Sequence, residues 1–163
     1  MTPSFFGRLT PWILAWLLAL PALAAAAGIV PAANFADDGA AARAAKIPIL
    51  VFYSRVDCSW CEIARRDYLA PLAADPATAA RVLIREVDVH GQQPLTDFDG
   101  RATRPSAFAK QRGVRMTPTL EFLDSHGKRL ADAIVGVGLA DFYGAIIDRA
   151  IDESLAKLRA PTP

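Results

Sequence analysis

The sequence predicts an α/β fold in a single domain, a central mixed sheet with helices on both faces, and three observations carry that prediction. The run from Ile49 to Tyr53 (ILVFY) is apolar on both faces of a strand, which suits a central strand covered from both sides. Segments of helical period alternate with strand-like runs, from a first helix at Asn34–Lys46 to a last at Leu139–Leu158. A four-residue turn, Asp124 to Gly127, joins two further strand-like runs as an antiparallel hairpin.

Residues 1–24 stand apart from the rest. Arg8 is followed by the apolar core Trp12–Leu20, then Pro21 and a run of alanines, the pattern of a secretory signal peptide. That core is too short to span a ~30 Å hydrocarbon layer, and Ala22-Leu23-Ala24 supplies the small-x-small site for cleavage after Ala24. The competing reading, a retained anchor, needs the alanines up to Val30 to count as apolar. An exported, periplasmic protein is therefore expected. Removing Arg8 from the 18 basic residues leaves 17, against 17 acidic, so nothing in the mature charge suggests a nucleic-acid partner.

Residues 25–33 read as a flexible lead-in and 160–163 as a tail, with the domain between them at 34–159. Asn34 caps the first helix, with Phe35 as its apolar anchor, and Pro48 interrupts before the Ile49–Tyr53 strand. From Cys61 on, Ala64, Tyr68 and Leu72 recur at helical spacing, with Glu62, Arg65 and Arg66 opposite. Pro71 should kink or end that helix, and Asp75-Pro76 starts a second short one running to about Ala80. Val82–Val89 is the next strand. The polar stretch His90–Arg104 reads as a surface loop, and Pro105 opens a helix that Gly113 stops. The hairpin then pairs Leu120–Leu123 with Arg129–Val135, and the last helix turns Phe142, Ile146, Ile147 and Ala150 toward the core.

The only two cysteines, Cys58 and Cys61, follow directly on the Ile49–Tyr53 strand. Three apart at a helix start, their sulfurs stack on one face within reach of each other, and the free N–H groups and dipole there favour a thiolate. A purely structural bridge is one alternative, but so short a loop constrains the unfolded chain little. Half of a zinc or copper site is another, and it would have to draw its remaining ligands from His90, His126 or scattered carboxylates. In an exported domain of this size, a single close pair points to redox work.

The order helix, strand, Cys-x-x-Cys helix, strand, helix, proline turn, hairpin, helix resembles the thioredoxin fold over nearly all of the mature chain. The residues that carry the resemblance are Cys58-Ser59-Trp60-Cys61 after one strand and Met116-Thr117-Pro118-Thr119 before another, about sixty positions on. With Asp75-Pro76 and the strand end at Asp88, the chain looks most like exported bacterial thioredoxin-like proteins, including the SoxW-type periplasmic thioredoxins.

The resemblance implies a thiol-disulfide oxidoreductase in which Cys58 is the exposed nucleophile, Cys61 the buried resolving cysteine and Pro118 a cis-proline facing the pair. Trp60, Thr117 and Pro118 would contact substrate, while Arg55, and with it Arg115, would favour the Cys58 thiolate and Asp57 oppose it even while capping the helix. No cofactor and no metal is expected. The partners expected are exported proteins with disulfides and a membrane electron donor of the DsbD type, the chain acting as a monomer. Two departures matter. Phe52 stands where cytosolic thioredoxins keep a buried aspartate, with Glu62 and Glu121 as weak substitutes, and Ser59-Trp60 matches neither the reductant nor the strong oxidant. Thr117 before the proline resembles the disulfide isomerases. Without a second domain to form a cleft, reduction of particular targets is expected rather than oxidation or isomerisation.

Overall fold

The computed structural model describes residues 28–138 and 140–160; the expected signal peptide lies outside them. A five-stranded sheet forms the centre, in the spatial order β1 (Val30–Pro31), β3 (Leu83–Asp88), β2 (Ile49–Ser54), β6 (Thr119–Leu123), β7 (Ile134–Val135). Strand β2 (Ile49–Ser54) is buried at all six positions, and it pairs in parallel with β3 (Leu83–Asp88) on one side and antiparallel with β6 (Thr119–Leu123) on the other. The register sets Phe52 beside Glu86 of β3 and Tyr53 beside Thr119 of β6.

The segment expected as a flexible lead-in instead contains an edge strand, β1 (Val30–Pro31), which pairs in parallel with β3 while Ile29 and Ala32 are buried. A strand of two residues is too short to leave an alternating pattern in the sequence. Helix α1 (Phe35–Ala45) starts as expected, with Asn34 Oδ1 accepting from the N–H groups of Ala36 and Asp37. Within α1, Gly39 faces the hairpin turn so closely that a β-carbon there would collide with the Ser125 carbonyl.

The Cys-x-x-Cys helix begins as α2 (Ser59–Ile63), widens into a π-helical turn over Ala64–Leu69, and continues as α3 (Ala70–Ala74). Ala70 N–H bonds to Arg65 O, five residues back, so the wide turn accommodates Pro71 without ending the helix. The extra residue also shifts the buried face. Leu69 is fully buried, whereas Leu72, expected inside from a uniform 3.6-residue period, is only half-buried. Asp75 then caps α4 (Pro76–Ala79) through the N–H groups of Ala77 and Thr78.

The stretch read as a surface loop is partly structural. It carries a small second sheet, β4 (Leu95–Thr96) with β5 (Ala102–Thr103), whose Leu95 is buried. Phe98 between them stacks on Phe35 at 4.8 Å, and Phe35 stacks in turn on Phe108 of α5 (Pro105–Gln111) at 4.7 Å. Alternating polar neighbours hide this cluster from any periodicity argument. The second arm of the hairpin is also shorter than expected. Leu123 opposes Arg129, but the only ladder beyond is β7 (Ile134–Val135), in which Leu120 opposes Ile134. The pairing has slipped by two residues, so the arm bulges between Leu130 and Ala133.

Helix α6 (Ala140–Arg159) covers one face of the sheet with Tyr143, Ile147, Ile151 and Leu155, while Phe142 and Ile146, expected inside, are exposed. Ile147 and Ala150 are buried as expected, and Tyr143, Ile151 and Leu155 take the rest of the stripe in place of Phe142 and Ile146. The buried stripe includes Ser154, whose hydroxyl donates to Ala150 O at 2.7 Å.

One charged group belongs to the core. Glu121 on β6 is 1 % exposed and accepts from the Tyr53 hydroxyl at 2.8 Å, from Arg112 Nε at 3.0 Å and from Arg129. Burial pushes its carboxyl up, but the bonds from Arg112 and Arg129 outweigh that and hold it below its ordinary range; burial and the same carboxylate push Tyr53 well up. Replacing Glu121 by Ala leaves two guanidinium groups and a buried hydroxyl without their acceptor, and should cost about 3–5 kcal/mol in urea unfolding at pH 7. Glu121→Gln should cost less. Because the folded carboxyl titrates below its unfolded value of 4.5, its contribution is complete above that pH and is lost as the pH falls through the folded value. The gap between wild type and Glu121→Gln should therefore narrow in unfolding curves taken toward pH 3.

Candidate active site

Strand β2 ends at Ser54, and three exposed residues, Arg55, Val56 and Asp57, carry the chain to Cys58. Asp57 takes the left-handed backbone conformation, φ 60°, which aspartate tolerates better than most residues. It does not cap the helix, contrary to the sequence expectation. Cys58 itself is the N-cap, and its sulfur accepts the Cys61 N–H at 3.1 Å. The reason is the sharp turn at Asp57, which places the sulfur, one residue later, over the first free N–H groups.

Cys58 and Cys61 are joined in a disulfide, with their Cα atoms 5.2 Å apart. Their exposure differs: Cys61 is fully buried and packed in the core, whereas Cys58 is only half-buried. Thr117 faces Cys58 across the site. The Thr117–Pro118 peptide is cis, Pro118 is buried, and Thr117 O lies 3.9 Å from the Cys58 sulfur. In the disulfide that sulfur carries no proton, so this approach is a contact. The Thr117 hydroxyl, by contrast, can donate to the sulfur at 3.7 Å.

An apolar collar surrounds the accessible sulfur: Val56, Trp60 and Met116 are 73 %, 58 % and 60 % exposed. The sequence singled out Trp60; Val56 was missed because a lone valine in a turn carries no signal. Two hollows flank the pair. One, of about 650 Å³, is walled by Cys58 with Glu62, Arg65, Glu86 and Asp88; the other, of about 620 Å³, by Thr117 with Lys110, Arg115 and His90, and Arg55 lines both. Among the described residues neither Arg55 nor Asp57 makes an ion pair or hydrogen bond to Cys58.

The carboxylate that sequence reasoning missed is Glu86. It sits beside Phe52 in the β2–β3 ladder, accepts from Ser54 Oγ at 2.5 Å and from Arg65, and lines the hollow next to Cys58. Arg65 bridges it to Glu62 at 2.5 Å and lies over the Phe52 ring at 5.4 Å; the bond to Glu86 is the main cause that raises the Arg65 pKa. Of the two weak substitutes, Glu62 is therefore ion-paired in this hollow and Glu121 is engaged elsewhere, with Tyr53, Arg112 and Arg129. Within β3 Glu86 stands between two other charged residues, Arg85 and Asp88, so the sequence carried no signal that set it apart.

Among the described residues no group of three or more His, Cys, Asp or Glu side chains is placed to hold a metal ion, and no helix is long and apolar enough to cross a membrane. Comparison with known proteins gives a family model for the thioredoxin-like domain that matches residues 28–150. The chain belongs to the thioredoxin-like family. No curated protein matches its sequence. Solved thioredoxins share its fold: that of Malassezia sympodialis at 20 % identity and TM-score 0.52, covering 79 % of this chain and 93 % of its own. A poplar thioredoxin h mutant follows at 17 % and 0.54, covering 84 % and 90 %, and spinach chloroplast thioredoxin f at 20 % and 0.51, covering 76 % and 94 %. A thioredoxin-like domain with its two cysteines bridged at a helix start is a thiol-disulfide oxidoreductase.

Thr117 gives this site a direct test. Thr117→Val keeps the shape but removes the hydroxyl beside the Cys58 sulfur. Alkylation of the reduced protein by iodoacetamide at pH 7 should slow by about fivefold, the equivalent of ~1 kcal/mol for one hydrogen bond. An unchanged rate would mean that the hydroxyl does not reach the sulfur after reduction.

Proposed function

We propose that the chain is a periplasmic reductase of protein disulfides in which Cys58 attacks and Cys61 resolves. The observation that carries this reading is the unequal exposure of the two sulfurs, Cys58 half-buried beside Thr117 within an apolar collar and Cys61 wholly inside. Only the first can meet a disulfide on another protein. The Cys58 thiolate attacks one sulfur of the substrate disulfide, a mixed disulfide forms and the first substrate thiolate leaves. The Cys61 thiolate then attacks Cys58, the second substrate thiolate leaves, and the Cys58–Cys61 bond closes. Two electrons and two protons pass from the enzyme's dithiol to the substrate. Met116, Thr117 and Trp60 would hold the incoming chain, with the Thr117 backbone pairing with it in a strand-like manner.

The direction rests on how few donors serve the attacking sulfur. Cys58 takes one backbone N–H and the Thr117 hydroxyl, and Ser59 between the cysteines makes no hydrogen bond to either sulfur among the described residues. Weak stabilisation of the thiolate leaves the disulfide the more stable form, which makes the dithiol a reductant. Regeneration then requires a membrane dithiol donor of the DsbD type, because the periplasm has no glutathione buffer. The compartment is supported by the signal-peptide pattern of residues 1–24.

Trapping tests the roles. In periplasmic extracts, Cys61→Ala should accumulate mixed disulfides with exported proteins that dithiothreitol releases, and Cys58→Ala should form none. Equal yields from the two variants would contradict the assignment.

A further inference from the structure

Thr117 has a hollow of about 620 Å³ beside it whose wall holds Arg55, Lys110, Arg115 and His90 and not one carboxylate. We propose that this hollow seats an acidic, extended segment of the substrate protein next to the disulfide under attack; the proposal rests on the reading of the chain as a reductase of protein disulfides.

Three observations support an acidic occupant. First, Arg55, Lys110 and Arg115 are exposed and make no ion pair or hydrogen bond among the described residues, whereas Arg65, Arg81, Arg85, Arg112 and Arg129 each pair with a carboxylate. Cations left without partners on one wall are available to an external anion. Second, the concentration of charge is local, since the whole chain carries a formal net charge of only +1. Across the redox pair the opposite hollow holds Asp57, Glu62, Glu86 and Asp88 against Arg55 and Arg65, so the field reverses sign from one side of Cys58 to the other. A chain crossing the site meets repulsion for acidic residues on one side and attraction on the other, which fixes its direction as well as its composition. Third, the wall also includes Val89, Val114 and Met116, apolar groups that suit the backbone and side-chain stems of a peptide better than a small solvated anion. Thr117 on its rim is the residue that touches the Cys58 sulfur, so a segment seated here is continuous with the chain presented for attack.

The test uses the purified protein with dithiothreitol as reductant and three peptides that carry the same disulfide, flanked by acidic, neutral or basic residues. Two small disulfides complete the set: uncharged 2-hydroxyethyl disulfide and dianionic 3,3′-dithiodipropionate. At low ionic strength the ratio of kcat/KM for the acidic over the basic peptide should be about tenfold, the combined effect of three weak exposed pairs. It should lie mainly in KM and shrink in high salt. In Lys110→Gln with Arg115→Gln the ratio should fall toward unity, and in Lys110→Glu with Arg115→Glu it should invert; both side chains are exposed, and a ratio within one variant cancels any change common to all substrates. A wild-type ratio near unity, or a wild-type ratio retained in both variants, overturns the proposal and leaves the redox reading standing. An equal advantage for 3,3′-dithiodipropionate over 2-hydroxyethyl disulfide overturns the assignment to a protein segment. Failure to reduce any of the five substrates overturns the redox reading itself, and the docking proposal with it.

Discussion

The site depends on where β2 ends. A strand buried at every position from Ile49 to Ser54 cannot shift along its two neighbours without moving its whole apolar set, so its last residue is fixed in space. Four residues later Cys58 becomes the cap of the following helix, and the sharp conformation of Asp57 leaves little freedom in between. The other side of the site is fixed by the same sheet, because Thr119, two residues after Thr117, opposes Tyr53 in the β2–β6 ladder. One strand thus positions both the sulfur and the backbone that faces it.

The burial that fixes the geometry also divides the two cysteines. A helix that starts at the end of the central strand and packs its first turn against the core places its cap at the rim and the third residue after it inside. Cys58 and Cys61 occupy those positions. Charge is handled by a different rule in the interior and at the rim. Glu121 and Glu86, both in sheet strands, are each held by an arginine and a hydroxyl, whereas Arg55, Lys110 and Arg115 at the rim have no such partner among the described residues. The interior charges are committed to the fold, and the rim charges remain available for recognition.

The parts of the fold legible in the sequence were those whose signal is local and repeated. The ILVFY run, the cap at Asn34, the Asp75-Pro76 start and the stop at Gly113 each act within a few residues, and each stands where its local chemistry put it. What was not legible depended on distant partners. The edge strand at Val30 exists only because β3 is there to pair with it, and Phe98 is half-buried only because Phe35 lies beneath it. The π turn before Pro71 shifted the helix face by one residue and exchanged Leu72 for Leu69, which no uniform period anticipates. For the site, Cys58, Cys61, Thr117 and Pro118 were evident from spacing and resemblance, and the structure brings them together. Glu86 was hidden because its relation to Cys58 runs across two strands, through the pairing of Phe52 with Glu86, rather than along the chain.

The central claim is that a sulfur served by so few donors makes a reductant. Equilibration of the purified protein with dithiol buffers of defined potential, with the Cys58–Cys61 state read by thiol alkylation, measures this directly. A potential toward the ~−270 mV of thioredoxin is expected; a value near the ~−120 mV of a strong disulfide oxidant would contradict the account.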